Sequence, residues 1–228
     1  MVAWFMSHVL GGFGGAEQPL SLLRSVLGKT KPSVTIPVMR HFDYQRTIIA
    51  YHGCDESVVR RVLLTGDHLS ASENDYDWLG YGIYFWEFGP ERALEWAVEQ
   101  KKRFPKRIRK PAVIGAVIQL GNCFDLLDTR NTKTLASAHD AFVESQLREN
   151  LVVPSNRGLQ HDLDCSVINF ALPRLESASG SKFHSVRGCF QEGAAAFAES
   201  EICLKSHVQV AVRDPDCILG YLRPPHLY

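Results

Sequence analysis

The sequence predicts a single α+β domain. Three observations predict it. Short apolar runs of strand character alternate with helical periodicities between residues 47 and 121, an alternating run returns at residues 207–212, and Gly or Pro punctuates the joins. With 228 residues, 45% hydrophobic and 22% charged, the chain is long enough for one full core with an appendage. No internal repeat is visible. Residues 1–40 are expected to form an N-terminal extension of helix and loop, ahead of a domain over residues 41–228.

The elements follow in order. "PLSLLRSV", residues 19–26, has helical spacing and is stopped by the Gly- and Pro-containing run after it. "RTIIAYHG" reads as a strand ending at Gly53. "DESVVRRVLLTG" then places Val58, Val59, Val62 and Leu63 on one helical face, with Asp55 or Ser57 as N-cap and Gly66 as the stop. "GIYFWE" is a second strand, and the helix after it opens with Pro90 in its first turn and buries Ala93, Leu94, Trp96 and Ala97. Residues 111–121, "PAVIGAVIQLG", are apolar nearly throughout, as a strand covered on both faces is. Residues 131–150 recur at helical spacing, and 151–188, with Pro154, Gly158, Pro173 and "ESASGSK", reads in part as loop. "HVQVAV" alternates as a strand, and "RDPDC" is a turn.

Composition excludes some functions. Lys and Arg together number 25 and so do Asp and Glu, so the overall field attracts neither nucleic acid nor acidic membrane surfaces. The six cysteines are scattered without C-x-x-C pairs or zinc-ligand spacing, which fits reduced thiols and no metal. The apolar start lacks an early cation and a run of about 20 apolar residues, so it matches neither a standard signal peptide nor a membrane span, and a cytoplasmic protein is expected. There is no G-x-G-x-x-G after a strand, no P-loop, no G-x-S-x-G and no H-E-x-x-H. One local exception to neutrality is "KKRFPKRIRK", where Lys101, Lys102, Arg103, Lys106 and Arg107, followed by Arg109 and Lys110, surround Phe104. It reads either as a cationic helix end complementing the dipole or as a patch for phosphates with an aromatic to stack on a base.

Three stretches carry a resemblance. Tyr51-His52-Gly53, the "GYGIYF" of residues 80–85 and Gln209 opening a late strand resemble, in order, the motifs of the ADP-ribosyltransferase superfamily, in the branch of diphtheria toxin and the poly(ADP-ribose) polymerases. The likeness covers roughly residues 47–97 and 205–222. It implies two small β-sheets forming an NAD cleft with peripheral helices. It implies that His52 bonds the adenosine ribose, that the Gly53 backbone clamps the nicotinamide carboxamide, that Tyr84 stacks on the nicotinamide, and that Tyr81 lies against the cofactor. The strand glutamate of the best-known members is here Gln209, which cannot carry charge or take a proton. Glu201, in an E-x-E with Glu199, and Glu192 compete for that role, and alternation in "SEICLK" would put Glu201 and Cys203 on one face and turn Glu201 toward the cleft if that run is a strand. The activity implied is mono-ADP-ribosyl transfer from NAD to a protein side chain or a nucleic-acid base, DNA or RNA, in a toxin or effector that an inhibitor or antitoxin protein could restrain. An NAD glycohydrolase and a non-catalytic module binding NAD or ADP-ribose are the alternatives.

Overall fold

The computed structural model describes residues 46–158 and 160–224. The expected extension over residues 1–40, with its helix at 19–26, lies outside them. The described chain is α+β, with seven strands and four helices.

Strand β1 (Thr47–Asp55) leads directly into α1 (Glu56–Thr65). Asp55 caps that helix by accepting from the Ser57 N–H, and Gly66 ends it in the left-handed region. Val59 and Val62 are buried, Val58 packs against the same core, and Leu63 turns outward, against the four-residue face expected. Next come β2 (Ile83–Glu87) and α2 (Pro90–Arg103), the latter opening on Pro90 as the sequence indicates. β3 (Pro111–Gln119) and the short β4 (Cys123–Asp125) precede α3 (Thr129–Arg148). The stretch expected to be partly loop contains α4 (Asp162–Ser179) and β5 (Ser185–Phe190). α4 keeps Pro173 in its interior because Cys165, Val167, Ile168, Ala171 and Leu172 bury a broad apolar surface, and that burial outweighs one lost backbone hydrogen bond. β6 (His207–Val212), a 3₁₀ turn at Pro215–Cys217 and β7 (Ile218–Leu222) complete the fold.

All seven strands join one sheet in the order β4-β5-β6-β2-β1-β3-β7, antiparallel except for β4 with β5. This differs from the expectation of two small sheets. The sheet is nevertheless narrow at one ladder. β1 pairs with β3 along its whole length, from Thr47↔Gln119 to Asp55↔Pro111, but with β2 only at Ala50↔Glu87 and Tyr51↔Trp86. One sheet face carries the main core, with Ile48, Ala50, Phe85, Ile114, Ile118 and Val210, under α1. A second cluster of Leu79, Phe124, Ile168, Leu172 and Ala211 packs beneath α4. A third, of Trp86, Ala93 and Val113, lies beneath α2.

Across the narrow ladder runs a chain of ion pairs. Arg46 reaches Glu87 at 2.9 Å, Arg187 reaches the other Glu87 oxygen at 2.6 Å, and the same Arg187 bonds Asp125 at 3.0 Å. The pairs tie the start of β1 to β2, β5 and β4, so side chains reinforce the sheet where backbone pairing is short.

Candidate functional site

The site begins where β1 and β2 part. In the β1–β3 ladder the hydrogen-bonded pairs fall on even residues of β1, because the Arg46 carbonyl accepts from Leu120 and the Glu56 N–H donates to the Lys110 carbonyl. Antiparallel pairs alternate. Gly53, an odd residue facing Val113, therefore turns its N–H and C=O away from β3 toward β2. The Ile49 carbonyl confirms the parity, since it points that way and accepts from Phe88. Continued pairing with β2 would set Gly53 opposite Tyr84, but the registered pairs stop at Tyr51↔Trp86.

His52 occupies the parting. Its Nδ1 lies 2.7 Å from the Tyr84 carbonyl, which a regular ladder would offer to Gly53. Its ring meets Phe85 edge-on at 5.9 Å and tilts toward Trp96 at 6.4 Å. A carbonyl only accepts, so Nδ1 carries the proton. Burial holds the His52 pKa below the ordinary histidine value, against a smaller upward pull from the Tyr84 carbonyl. The neutral ring then presents Nε2 as an acceptor, the polarity a sugar hydroxyl needs.

The residue at position 53 must be glycine because α2 packs onto it. A Cβ there would stand 2.1 Å from the Ala93 carbonyl oxygen of α2, so the helix rests directly on the strand.

Tyr84 is half-buried and is anchored through its hydroxyl. Its hydroxyl donates to the Gly80 carbonyl at 2.8 Å and accepts from the Leu79 N–H at 2.9 Å, and its ring packs on the second cluster with Trp78. Burial, then the nearby Asp77 charge, pushes its pKa well above the usual tyrosine value. Gly80, at φ 75°, makes the turn, and a Cβ on it would meet Asn169 Oδ1 at 2.7 Å. Tyr84 thus clamps the 79–80 turn.

Gln209 lies opposite Trp86 on one side and Gly188 on the other. The Trp78 indole, which can only donate, gives its N–H to Gln209 Oε1 at 2.6 Å. The Gln209 NH₂ is left as the end that can meet a ligand. Tyr84 and Gln209 share a sheet face, since Tyr84 pairs with Ala211 and Gln209 stands two residues away.

The remaining candidates spread out. Tyr81 is exposed, 3.3 Å from Asp75 through its hydroxyl, beside a shallow groove of about 520 Å³ that also touches Glu73, Lys182 and Arg213. That groove is not lined by His52, Gly53 or Gln209. Glu201 is exposed in the connection between β5 and β6, and "SEICLK" forms no strand there, only an isolated bridge from Cys203 to Ala195, so the alternation expected to aim Glu201 inward is absent. Glu192, in the same connection, pairs instead with Arg92 of α2 at 2.7 Å. Lys101, Lys102 and Arg103 form the last turn of α2, with Lys106 and Arg107 exposed beyond it and Phe104 53% exposed. They stand at the far end of α2 from Ala93, so this basic surface and Gly53 are separated by most of a helix.

Sequence reasoning did not single out Trp78, Arg92 or His207. Arg92 carried a signal, because a cation in the first turn of a helix opposes the helix dipole and calls for a partner. All six cysteines are free thiols, and burial raises Cys54 and Cys123 to about 12. Among the described residues no helix is long and apolar enough to cross a membrane, and no group of three or more His, Cys, Asp or Glu is placed to hold a metal ion. No family model matches the chain, and no curated protein matches its sequence.

Proposed function

We propose that the chain transfers a single ADP-ribose from NAD to a macromolecular acceptor, with the NAD held where β1 and β2 part. The observation that carries this reading is Gly53, whose N–H and C=O both face the parting beside the neutral ring of His52. A primary carboxamide offers an acceptor oxygen beside a donor NH₂, the complement of a peptide N–H and C=O on one strand edge. His52 Nε2 accepts from a ribose hydroxyl. Gln209 supplies its NH₂ to a second hydroxyl while Trp78 fixes its orientation.

The reaction breaks the bond between nicotinamide nitrogen and ribose C1′. The bonding pair leaves with the nitrogen and neutralises the pyridinium, and positive charge grows on the ribose as in glycoside hydrolysis. An acceptor nucleophile then bonds to C1′ and loses its proton to solvent. Gln209 orients but takes no proton, which favours one transfer over chain elongation. Gln209 also supports a second reading, a module that binds without turnover, because its Oε1 is held by Trp78.

The test is incubation with labelled NAD and separate pools of protein, DNA and RNA, following both label and free nicotinamide. Label in one pool, lost in Gln209→Ala, supports transfer and identifies the acceptor. Nicotinamide release without label means hydrolysis, and NAD binding without release means the binding module.

A further inference from the structure

Buried polar groups ordinarily have partners, and those without one point to a ligand or bound solvent. Among the described residues, Trp86 Nε1, Arg92 Nε and Nη1, and His207 Nε2 are buried without a hydrogen bond. They lie together. The Arg92 guanidinium is 5.8 Å from the Trp86 ring centroid, and the His207 ring is 6.1 Å from the same centroid. Trp86 is 3% exposed and the Arg92 side chain 11%. His161 Nε2 also lacks a partner, but it stands against Phe190 and is not part of this group.

One anion is already present. Glu192 accepts from Arg92 Nη2 at 2.7 Å, and its segment is held to α2 a second time by Lys205 with Glu99, also at 2.7 Å. Glu95 comes no nearer to Arg92 Nη1 than 4.0 Å, beyond hydrogen-bond range. The groups left over are three donor nitrogens, Nε1 of the indole and Nε and Nη1 of the guanidinium. Each fork of the guanidinium pairs Nη2 with Nε or Nη1, so an anion takes a fork only when Glu192 leaves Nη2, and the two oxygens of a carboxylate would then be satisfied by that fork alone. A phosphoryl group has three or more, enough for the fork and the indole together. α2 begins at Gly89 without a side-chain cap, which leaves the positive end of its dipole next to Arg92.

We propose that Arg92 and Trp86 form a binding site for a phosphate or pyrophosphate group, bordered by the His207 ring, whose Nδ1–H goes to the Lys205 carbonyl and whose Nε2 is an acceptor, and that Glu192 holds the Arg92 end of that site until the ligand displaces it. The ligand enters as the segment carrying Glu192 and Lys205 parts from α2. The site goes beyond the transferase reading, since binding a phosphate requires no glycosidic cleavage. Inorganic pyrophosphate and ADP-ribose share the recognised group, and adenosine and acetate lack it.

The experiment is calorimetric titration of the full chain with inorganic pyrophosphate, ADP-ribose, adenosine and acetate, with the His207 imidazole followed by NMR. Expected are saturable pyrophosphate binding that moves the His207 signal, about tenfold weaker binding in Arg92→Gln, and about tenfold tighter binding in Glu192→Gln, each the size of one charge-assisted hydrogen bond. ADP-ribose binding with no pyrophosphate binding overturns the proposal, as does binding of acetate with equal strength. If Arg92→Gln loses its cooperative melt, Glu192→Gln decides: tighter binding supports the displacement, and unchanged or weaker binding overturns it. Absence of pyrophosphate binding alongside intact NAD cleavage refutes this site alone. Pyrophosphate bound without any NAD cleavage refutes the transferase alone.

Discussion

Arg187→Met tests the chain of ion pairs that spans the narrow part of the sheet. Arg187 is 7% exposed by its side chain, and its partners Glu87 and Asp125 are 4% and 7% exposed. Removing it leaves two buried carboxylates facing one another's strands, with Glu87 keeping only the half-exposed Arg46. Breaking one buried pair costs about 3–5 kcal/mol, chiefly because the survivor stays charged and desolvated. For a domain of this size that lowers the melting temperature by roughly 6–20 °C. The assay is urea unfolding with a parallel thermal melt. Adding Glu87→Gln and Asp125→Asn to the Arg187→Met chain removes both charges, and this triple variant is expected to regain at least half of the loss. A loss below about 1 kcal/mol would place the pair with exposed salt bridges and refute the reasoning. So would a triple variant no more stable than the single one.

Gly53→Ala drives a methyl onto the Ala93 carbonyl, at 2.1 Å before any relaxation, and is expected to cost about 1–3 kcal/mol in urea unfolding while an equally conservative Gly220→Ala, with open space around it, costs less. Tyr84→Phe removes a donor to Gly80 and an acceptor for Leu79, for about 1–3 kcal/mol, and speeds amide exchange at Leu79; unchanged exchange there would contradict the clamp. His52 and His207 both have folded pKa values lowered by burial. The unfolded chain therefore binds protons first, so the stability they contribute is present above about pH 6.5 and lost as pH falls from there through their folded values. Unfolding free energies between pH 5 and 8 are expected to rise with pH, less steeply in His52→Gln.

Much of the fold was legible because its signals are local. Asp55, Gly66 and Pro90 mark helix ends by backbone chemistry that no tertiary contact reverses, and the apolar run 111–119 becomes a strand covered on both faces. α4 was not legible, because Pro173 and "ESAS" argue against a helix unless the burial of Ile168 and Leu172 is already known. Glu201 was misplaced for the opposite reason: alternation over a few residues resembles a strand, but a strand needs a neighbour, and Cys203 finds only one bridge partner. The spacing of "YHG" and "GYGIYF" put His52 and Tyr84 on adjacent strands. It could not reveal that the Tyr84 side chain turns to its own turn while its carbonyl turns to His52.

That last division gives His52 a role in shaping the site, whatever it touches in a ligand. Tyr84 has one carbonyl on the β1 side, and two donors compete for it, the Gly53 N–H of a continuing ladder and the His52 Nδ1–H observed at 2.7 Å. With the imidazole in place the ladder stops at Tyr51↔Trp86 and the Gly53 peptide faces the opening. In His52→Ala the competitor is gone, so the ladder is expected to extend by the pair Gly53↔Tyr84 and close the opening. Loss of activity in that variant would then follow from a closed strand edge as readily as from a missing ribose contact. Amide exchange at Gly53 separates the two. Exchange slowed tenfold or more in His52→Ala, about the protection one backbone hydrogen bond gives, shows the edge has closed. Exchange as fast as in the parent chain means His52 does not hold the strands apart, and the loss of activity belongs to the contact its Nε2 makes.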